Sequence, residues 1–240
     1  MQVKTSGIVF HSIKHTDSAT IITVYTRQFG RVSYIAHGIN KKKSICRAAF
    51  LQPLSIVEME VSHSQGKNVQ SIKEMRMEHQ FNSIPYDPVK NSLALFLSEV
   101  FFRTLRQTEP DENLYLFLEN SILQLDCIET GISNFHLVFL LKFTRFLGFE
   151  PNVDFVESNY FDLMNGVFLN RKPLHAHFLL PEISADFISL LKSDYTSMNN
   201  LSFTRPRRAE ILRNIVDYYK LHIADFQGLH SLPVLQSLFD

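Results

Sequence analysis

Cysteine, tryptophan and glycine are scarce in this chain. Its 240 residues include two cysteines, eight glycines and no tryptophan. The two cysteines, Cys46 and Cys127, lie far apart and in no motif. This excludes a disulfide framework and predicts a reducing compartment. So few glycines also argue against a chain built entirely from short strands and tight turns.

Long hydrophobic runs are missing as well. No segment approaches the ~18 consecutive apolar residues that a membrane-spanning helix needs. The longest candidate, residues 135–149, is interrupted by Lys142 and Arg145. The first ten residues, MQVKTSGIVF, show neither a long apolar region nor a cleavage site, so we expect no signal peptide. A soluble, cytoplasmic protein is predicted.

Catalytic signatures are absent too. The chain contains no GxxxxGK[ST], HExxH or GxSxG motif, and Gly66-Lys67 lacks the rest of a phosphate loop. No pair of carboxylates stands out as an acid–base dyad. His175 and His177 offer two imidazoles, but without a cysteine or a second pair nearby they do not predict a zinc site. We therefore predict a protein that is not an enzyme and has no cofactor or metal.

The first 80 residues alternate between apolar and polar side chains, as half-buried strands do. Turn signals separate the alternating runs. Five short strands that close on themselves would form an OB-type barrel, whose face and loops often bind oligonucleotides. The expected strands cover residues 7–11, 19–26, 30–37, 55–61 and 69–77.

From about Asp87 the apolar residues recur with helical spacing. Asp111 is expected to cap a second helix, and Ser133 or Asn134 to open a third that is apolar nearly all round and therefore central. Asn165-Gly166 predicts a hairpin within residues 152–180. The predicted fold class is α+β: a five-stranded OB-type β-barrel over 1–80, then a helical domain over 81–240 with a small hairpin insertion.

Positive charge is concentrated near the N-terminus, although the whole chain has 24 basic and 24 acidic residues. The first 52 residues carry eight basic side chains and one acid, Asp17. Residues 1–80 have a net charge of +6 and residues 81–240 a net charge of −6. A half this basic favours a polyanionic partner, most commonly nucleic acid. The alternative is a basic face that is only solvated.

A basic loop, HGINKKKS, directly follows the third expected strand. Consecutive lysines can follow a phosphate backbone, and aromatic rings among basic residues can stack on bases. Alternatively, aromatic residues such as Tyr25 and Phe29 are barrel core and the lysines only solubilise the loop. The candidate nucleic-acid-binding residues are Arg27, Arg31, Tyr34, Lys41, Lys42, Lys43 and Arg47.

Several short motifs resemble the bacterial DNA repair and recombination mediator family RecO. The resemblance covers essentially the whole chain and is most specific near the N-terminus. The segments that carry it are Gly7-Ile8-Val9, Asp17-Ser18-Ala19, Phe29-Gly30-Arg31, Leu51-Gln52-Pro53-Leu54 and the helix end FLGFEP at 146–151.

The resemblance implies an OB barrel that binds single- and double-stranded DNA and anneals complementary strands, in a nucleoid-associated protein. It also implies two partners, RecR and the C-terminal tail of single-stranded-DNA-binding protein (SSB), with which recombinase is loaded on gapped DNA. An acidic tail that ends in phenylalanine needs an apolar groove with a cationic rim. The candidate cations for that rim are Lys142 and Arg145, or Arg103 and Arg106.

One departure from the family is informative. Many relatives carry a four-cysteine zinc module after the Leu-Gly-Phe/Tyr motif, whereas residues 152–180 here contain no cysteine. We therefore predict no structural zinc at this place. The hairpin is expected to be held by apolar side chains instead, namely Phe155, Tyr160, Phe161, Val167 and Phe168.

Two rival functions remain open from the sequence. In one, the helical half is a protein-interaction scaffold and the basic barrel docks an acidic protein. In the other, the barrel is an RNA-binding OB module. The first predicts weak DNA binding even at low salt, and the second predicts a preference for RNA over DNA of equal length.

Overall fold

The N-terminal strands close into a barrel in the computed structural model, which describes residues 2–37, 47–64, 66–106, 109–153, 159–226 and 228–238. Around the barrel the strand order is β1-β2-β3-β5-β4, and β4 pairs again with β1. The pairing of β3 with β5 is parallel, and the other four pairings are antiparallel. The strands are β1 (Gln2–Lys14), β2 (Ala19–Thr26), β3 (Gly30–His37), β4 (Ile56–Ser62) and β5 (Val69–Met77).

Apolar residues fill the barrel. The β-branched residues of β2 suit a strand, since their side chains are stiff and pack well on a pleated surface. Gly7 is required where β1 crosses β2, because a Cβ there would lie 2.5 Å from Val24 Cγ1. The barrel core consists of Val9, Ile22, Val24, Tyr34, Ala36, Val57, Met59, Val61 and Met75.

Within the described residues, six α-helices and three short strands follow the barrel. The α+β prediction of an OB-type barrel followed by a helical region is confirmed. The helices are α1 (Pro88–Thr104), α2 (Glu112–Cys127), α3 (Ile132–Leu147), α4 (Pro181–Leu191), α5 (Arg205–His222) and α6 (Leu232–Leu238). The strands are β6 (Tyr160–Asp162), β7 (Val167–Leu169) and β8 (Phe178–Leu179). Among the described helices, none has the length and apolar character needed to cross a membrane.

The chain forms two compact units, Met1–Cys127 and Ile128–Asp240. In the first unit, α1 packs on β1: the Ser98 hydroxyl donates to the Phe10 carbonyl, and the rings of Phe10 and Phe101 lie 5.3 Å apart. The barrel thus shares its unit with α1 and α2. The expected domains 1–80 and 81–240 stay a prediction.

In the second unit α3 is the buried helix that its apolar sequence predicts, with Phe135, Phe139 and Phe143 fully enclosed. It begins at Ile132, slightly before the expected start at Ser133 or Asn134. Asn134 is not a cap because its side-chain amide is buried and donates to the carbonyls of Met198 and Leu201.

The expected hairpin is present around Asn165-Gly166, with the rings of Phe161 and Phe168 4.7 Å apart beneath it. Gly166 has φ 65°, and a Cβ there would lie 2.6 Å from the Tyr218 hydroxyl, so the turn needs glycine.

The structure adds β8 beside β6, and the C-terminal tail forms α6, neither of which the sequence predicted. Phe155 lies outside the described residues.

A buried network of hydrogen bonds fixes the segment between the barrel and α1. The Asp126 carboxylate accepts hydrogen bonds from the backbone N–H groups of Asn82, Ser83 and Ile84 at 2.8–2.9 Å. Lys90, only 5% exposed, donates to the Ser83 hydroxyl and the Asp126 carbonyl, both at 2.7 Å. Burial would raise the pKa of Asp126, but these backbone donors outweigh it and hold that pKa below its usual value.

We expect Asp126→Asn to lower the free energy of unfolding at pH 7 by about 1–3 kcal/mol, because the amide keeps one acceptor oxygen but replaces the other with an NH₂ group that cannot accept a backbone N–H. A carboxyl with a depressed folded pKa stabilises the fold above its unfolded pKa of about 3.9 and loses that effect as pH falls through the folded value. The difference from wild type in urea unfolding should therefore shrink below about pH 4. Asp17→Asn, at an exposed ion pair with Lys14, is the control and should change little.

Candidate nucleic-acid interface

The basic residues of the N-terminal segment are distributed over several parts of the barrel. Arg27 follows β2, Arg31 is the second residue of β3, and Arg47 is exposed before a 3-10 turn at Ala48–Leu51. The lysine loop, Lys41 to Lys43, lies outside the described residues. The structure therefore gives the environment of only some of the predicted contacts.

Arg31 joins the barrel to α1. Its Nη1 donates to the carbonyls of Phe102 and Leu105, both at 2.8 Å, and its guanidinium carbon lies 4.5 Å from the centroid of the Phe102 ring. Cations at a helix C-terminus and over an aromatic face are both stabilising. Burial lowers the pKa of Arg31, and the charge of Arg106 lowers it further. Arg31 thus has a structural role besides any contact with a ligand.

Arg27 forms an exposed ion pair on the same unit. Its Nη2 lies 2.5 Å from Oε1 of Glu112 at the start of α2. The hydrogen bond and charge of Glu112 raise the pKa of Arg27. Exposed ion pairs of this kind are weak, so a phosphate can replace the carboxylate at little cost.

Tyr34 lies inside the barrel. Its side chain is fully buried among the core residues, and its hydroxyl is 2.9 Å from Nε2 of His63. Burial raises the pKa of Tyr34, so the phenol stays protonated. A ring enclosed in this way presents no face to a base. The structure therefore places Tyr34 in the core rather than on the stacking surface expected for it.

A groove of about 560 Å³ lies beside the β2–β3 turn and the β4–β5 loop. Three cations line it, Arg31, Lys67 and Arg106, and none of the described lining residues is acidic. The other lining residues are Gln28, Phe29, Val32, Ser33, His63, Asn68, Gln70 and Pro110. We call this the basic groove.

Two rings form the aromatic part of the basic groove. The centroids of the Phe29 and His63 rings are 4.1 Å apart, with an angle of 34° between the planes. Burial lowers the pKa of His63, so its ring is neutral at pH 7 and acts through stacking and hydrogen bonding rather than charge. The Phe29 backbone N–H donates to the Thr26 hydroxyl at 3.0 Å, which fixes the turn that carries the ring.

The loop on the other side of the groove is held by one side chain. The Gln70 amide accepts from the Ser64 N–H at 2.8 Å and donates to the Lys67 carbonyl at 2.8 Å. The backbones of Ser64 and Lys67 are therefore both held by hydrogen bonds to Gln70. A preformed site of this kind loses less entropy when it binds a ligand.

A second groove on the barrel is not suited to an anion. Three of its lining residues, Glu58, Glu60 and Glu74, are acidic, against the cations Lys4 and Arg76. Arg76 is also paired with Glu58. Positive charge without acidic neighbours is thus a property of the basic groove and not of the whole barrel surface.

The candidate partner-binding cations on the helices differ in their surroundings. Arg103 is paired with Glu99 one helical turn before it, at 2.8 Å, and Arg106 follows the C-terminus of α1. On α3, Lys142 is half-buried and Arg145 exposed, three residues apart on one face. Neither of these two forms an ion pair with any residue that the structure describes.

Sequence reasoning missed Lys67, His63 and Gln70 as parts of one site. The alternation of β3 does carry a useful signal, because it puts Arg31 and Ser33 on one face and Tyr34 and Ala36 on the other. That pattern assigns Tyr34 to the interior. No comparable pattern reveals that the β4–β5 loop lies against the β2–β3 turn.

Comparisons with known proteins agree with the fold. The family model described as "Recombination protein O N terminal" matches residues 1–81, and "Recombination protein O C terminal" matches residues 85–233. A protein named "DNA repair protein RecO" from Phocaeicola vulgatus is 40% identical over 240 residues, all of both chains. Proteins of the same name from Bacteroides fragilis and Flavobacterium psychrophilum are 38% and 33% identical, again over the full length of both chains.

The double role of Arg31 leads to a stability prediction. Arg31→Ala should lower the free energy of unfolding by about 1–3 kcal/mol, because two carbonyls at the end of α1 lose a charged donor. Arg27→Ala removes only an exposed ion pair and should leave stability nearly unchanged. Urea unfolding of both variants makes the comparison, and equal stability of the two would contradict a structural role for Arg31.

Proposed function

The chain belongs to the RecO family of DNA repair proteins, and we propose that it is a DNA-binding recombination mediator that uses the basic groove. Family membership supports a role in DNA repair and recombination. The proposed role consists of binding single- and double-stranded DNA and annealing complementary strands. None of these steps makes or breaks a covalent bond.

The observation that carries this proposal is the composition of the basic groove. Arg31, Lys67 and Arg106 line one depression together with the ring pair Phe29–His63, and the described lining has no acid. Cations bind phosphates through charge and counterion release, without regard to sequence. Aromatic rings stack on unpaired bases, which any sequence offers. This combination is typical of single-strand binding.

Annealing follows from the same chemistry. Two complementary strands repel each other through their phosphates, and cations on one protein surface reduce this repulsion while the bases search for partners. The exposed cations Arg27 and Arg47 lie on the same barrel, outside the groove lining, and extend the positive surface available to a second strand. Lys41, Lys42 and Lys43 belong to this proposal through their sequence alone.

The groove can be tested by charge reversal. We expect Lys67→Glu to weaken binding to single-stranded DNA about tenfold and to reduce the slope of log K against log salt by about 1 to 2 charges. Lys73→Glu, at an exposed site on β5 outside the groove, makes the same change in net charge and should have a smaller effect. The measurement is fluorescence anisotropy with a labelled oligonucleotide from about 50 to 200 mM salt.

Three further outcomes of this assay separate the alternatives. Reversal of Lys41, Lys42 and Lys43 to glutamate should weaken binding by orders of magnitude, and unchanged affinity would remove this loop from the mechanism. No DNA binding by wild type at the lowest salt would favour the protein scaffold. Tighter binding to RNA than to DNA of equal length would favour the RNA-binding alternative.

Partnership with RecR and with the SSB tail is proposed as well. For the acidic tail, the pair on α3 is the better candidate, because Arg103 is already paired with Glu99. Lys142 is half-buried and Arg145 is exposed, and the apolar residues Phe146 and Leu147 beside them are half-buried. The pair thus places cations next to partly accessible apolar side chains, as a tail with acids and a terminal phenylalanine requires.

The tail proposal makes its own prediction. The double change Lys142→Glu and Arg145→Glu should weaken binding of an acidic peptide ending in phenylalanine by about tenfold or more, because it reverses the charge of the rim. Arg213→Glu, at an exposed position of α5, is the control and should retain binding. Calorimetric titration of the peptide measures both, and equal loss in the two variants would show only a general charge effect.

A further inference from the structure

Three potential metal ligands meet where β5 ends beside α2. Glu78 and His79 follow the last residue of β5, and Glu119 lies in the middle of α2. One ligand atom from each side chain can be chosen so that all three lie within 4.8 Å of one another. His79 Nε2 and Glu119 Oε1 are 3.9 Å apart, which is too far for a hydrogen bond. We call these three side chains the Glu–His–Glu cluster.

The convergence depends on a bend in the chain. In an extended strand consecutive side chains point to opposite faces, so Glu78 and His79 could not approach the same point. Here the strand ends at Met77, and the Glu78 N–H donates to the Ile56 carbonyl at 3.0 Å, which fixes the start of the bend. The third ligand comes from a regular helix. Two rigid elements therefore hold the cluster.

The electrostatics of the cluster favour a cation. Burial and the charge of Glu78 raise the pKa of Glu119, while His79 and Arg27 lower it. Two carboxylates are thus held close together beside a single imidazole. Such a grouping is costly unless positive charge neutralises it.

A buried phenol adds an independent observation. Tyr115 is 1% exposed, and its hydroxyl makes no hydrogen bond of normal geometry with the described residues, although Ser6 lies near it. After burial itself, the charges of Glu119 and Glu78 are the largest influences that raise the pKa of Tyr115, so both carboxylates act electrostatically on this phenol. Buried polar groups usually have a partner. A metal-bound water in the cluster would supply one.

We propose that Glu78, His79 and Glu119 bind one divalent first-row transition-metal ion, with Zn²⁺ held more tightly than Mn²⁺. One imidazole nitrogen and two carboxylate oxygens form a donor set that such ions accept, and three protein ligands leave room for water. Metal–ligand distances of about 2.0–2.2 Å need small rotations of the side chains. Glu78 is exposed and can make the largest of these.

The ion would link the end of β5 to α2 and so stabilise the first compact unit. It would also neutralise two carboxylates, one of which acts on Arg27. This site is separate from the basic groove, since none of its three ligands lines that groove. The proposal therefore does not depend on the proposed DNA binding.

The test is calorimetric titration of ZnCl₂ into the metal-stripped full chain. Wild type should bind one ion per chain at this site, and His79→Ala and Glu119→Gln should each weaken that binding about tenfold or more. Glu112→Gln removes a carboxylate from the same helix that contacts Arg27 rather than the cluster, and should bind as wild type does. Zn²⁺ should raise the melting temperature of wild type and of Glu112→Gln but not of His79→Ala.

A measurement on the wild-type protein tests the site independently of whether the variants fold. With MnCl₂ bound, electron spin echo spectroscopy of wild type should detect one directly coordinated imidazole nitrogen. The proposal is overturned if that nitrogen is absent, or if His79→Ala binds Zn²⁺ as wild type does. It is also overturned if binding is lost only in the double variant His175→Ala and His177→Ala, which would assign the ion to the other histidine pair.

Discussion

The structure of the N-terminal unit depends on the pairing of one strand with two neighbours at once. Around Gly7 and Ile8, β1 bonds to β2 on one side and to β4 on the other, and this closes the barrel. Closure removes free strand edges and forces the strands to curl tightly. The curl brings β1 so close to Val24 that only glycine fits at position 7. Because the barrel is closed, the β2–β3 turn and the described part of the β4–β5 loop lie side by side, and both line the basic groove.

Local patterns in the sequence are sufficient to predict most strands and helices. They fail where contacts with residues distant in the sequence determine the local structure. Alternation identified all five barrel strands, and Asp111 does accept the N–H of Leu114 as a cap should. The start of α3 was misplaced because Asn134 satisfies carbonyls more than sixty residues away instead of capping its own helix. The two-residue strand β8 exists only through its pairing with β6, so no local periodicity could reveal it.

For the candidate site too, the sequence reveals the composition but not the three-dimensional arrangement. Charge counting assigns the candidate site to the barrel, since the surplus of basic residues there is a property of the sequence alone. It could not separate a cation that supports the fold from one that faces a ligand. Arg31 supports the fold and also lines the basic groove, because its guanidinium has five donors and a flat face and can contact carbonyls and a ring while it lines the groove. Such sharing is visible only in three dimensions.

Like charges that lie near one another point to a binding site, because their repulsion does not stabilise the fold. Burial lowers the pKa of Arg31 and the like charge of Arg106 lowers it further, and none of the described residues lining the groove is acidic. The Glu–His–Glu cluster is the opposite case, because burial and the charge of Glu78 raise the pKa of Glu119 beside one imidazole. In both places a bound ion of opposite sign would reduce this repulsion. One small unit thus has two proposed sites of opposite preference, one for a polyanion and one for a metal cation.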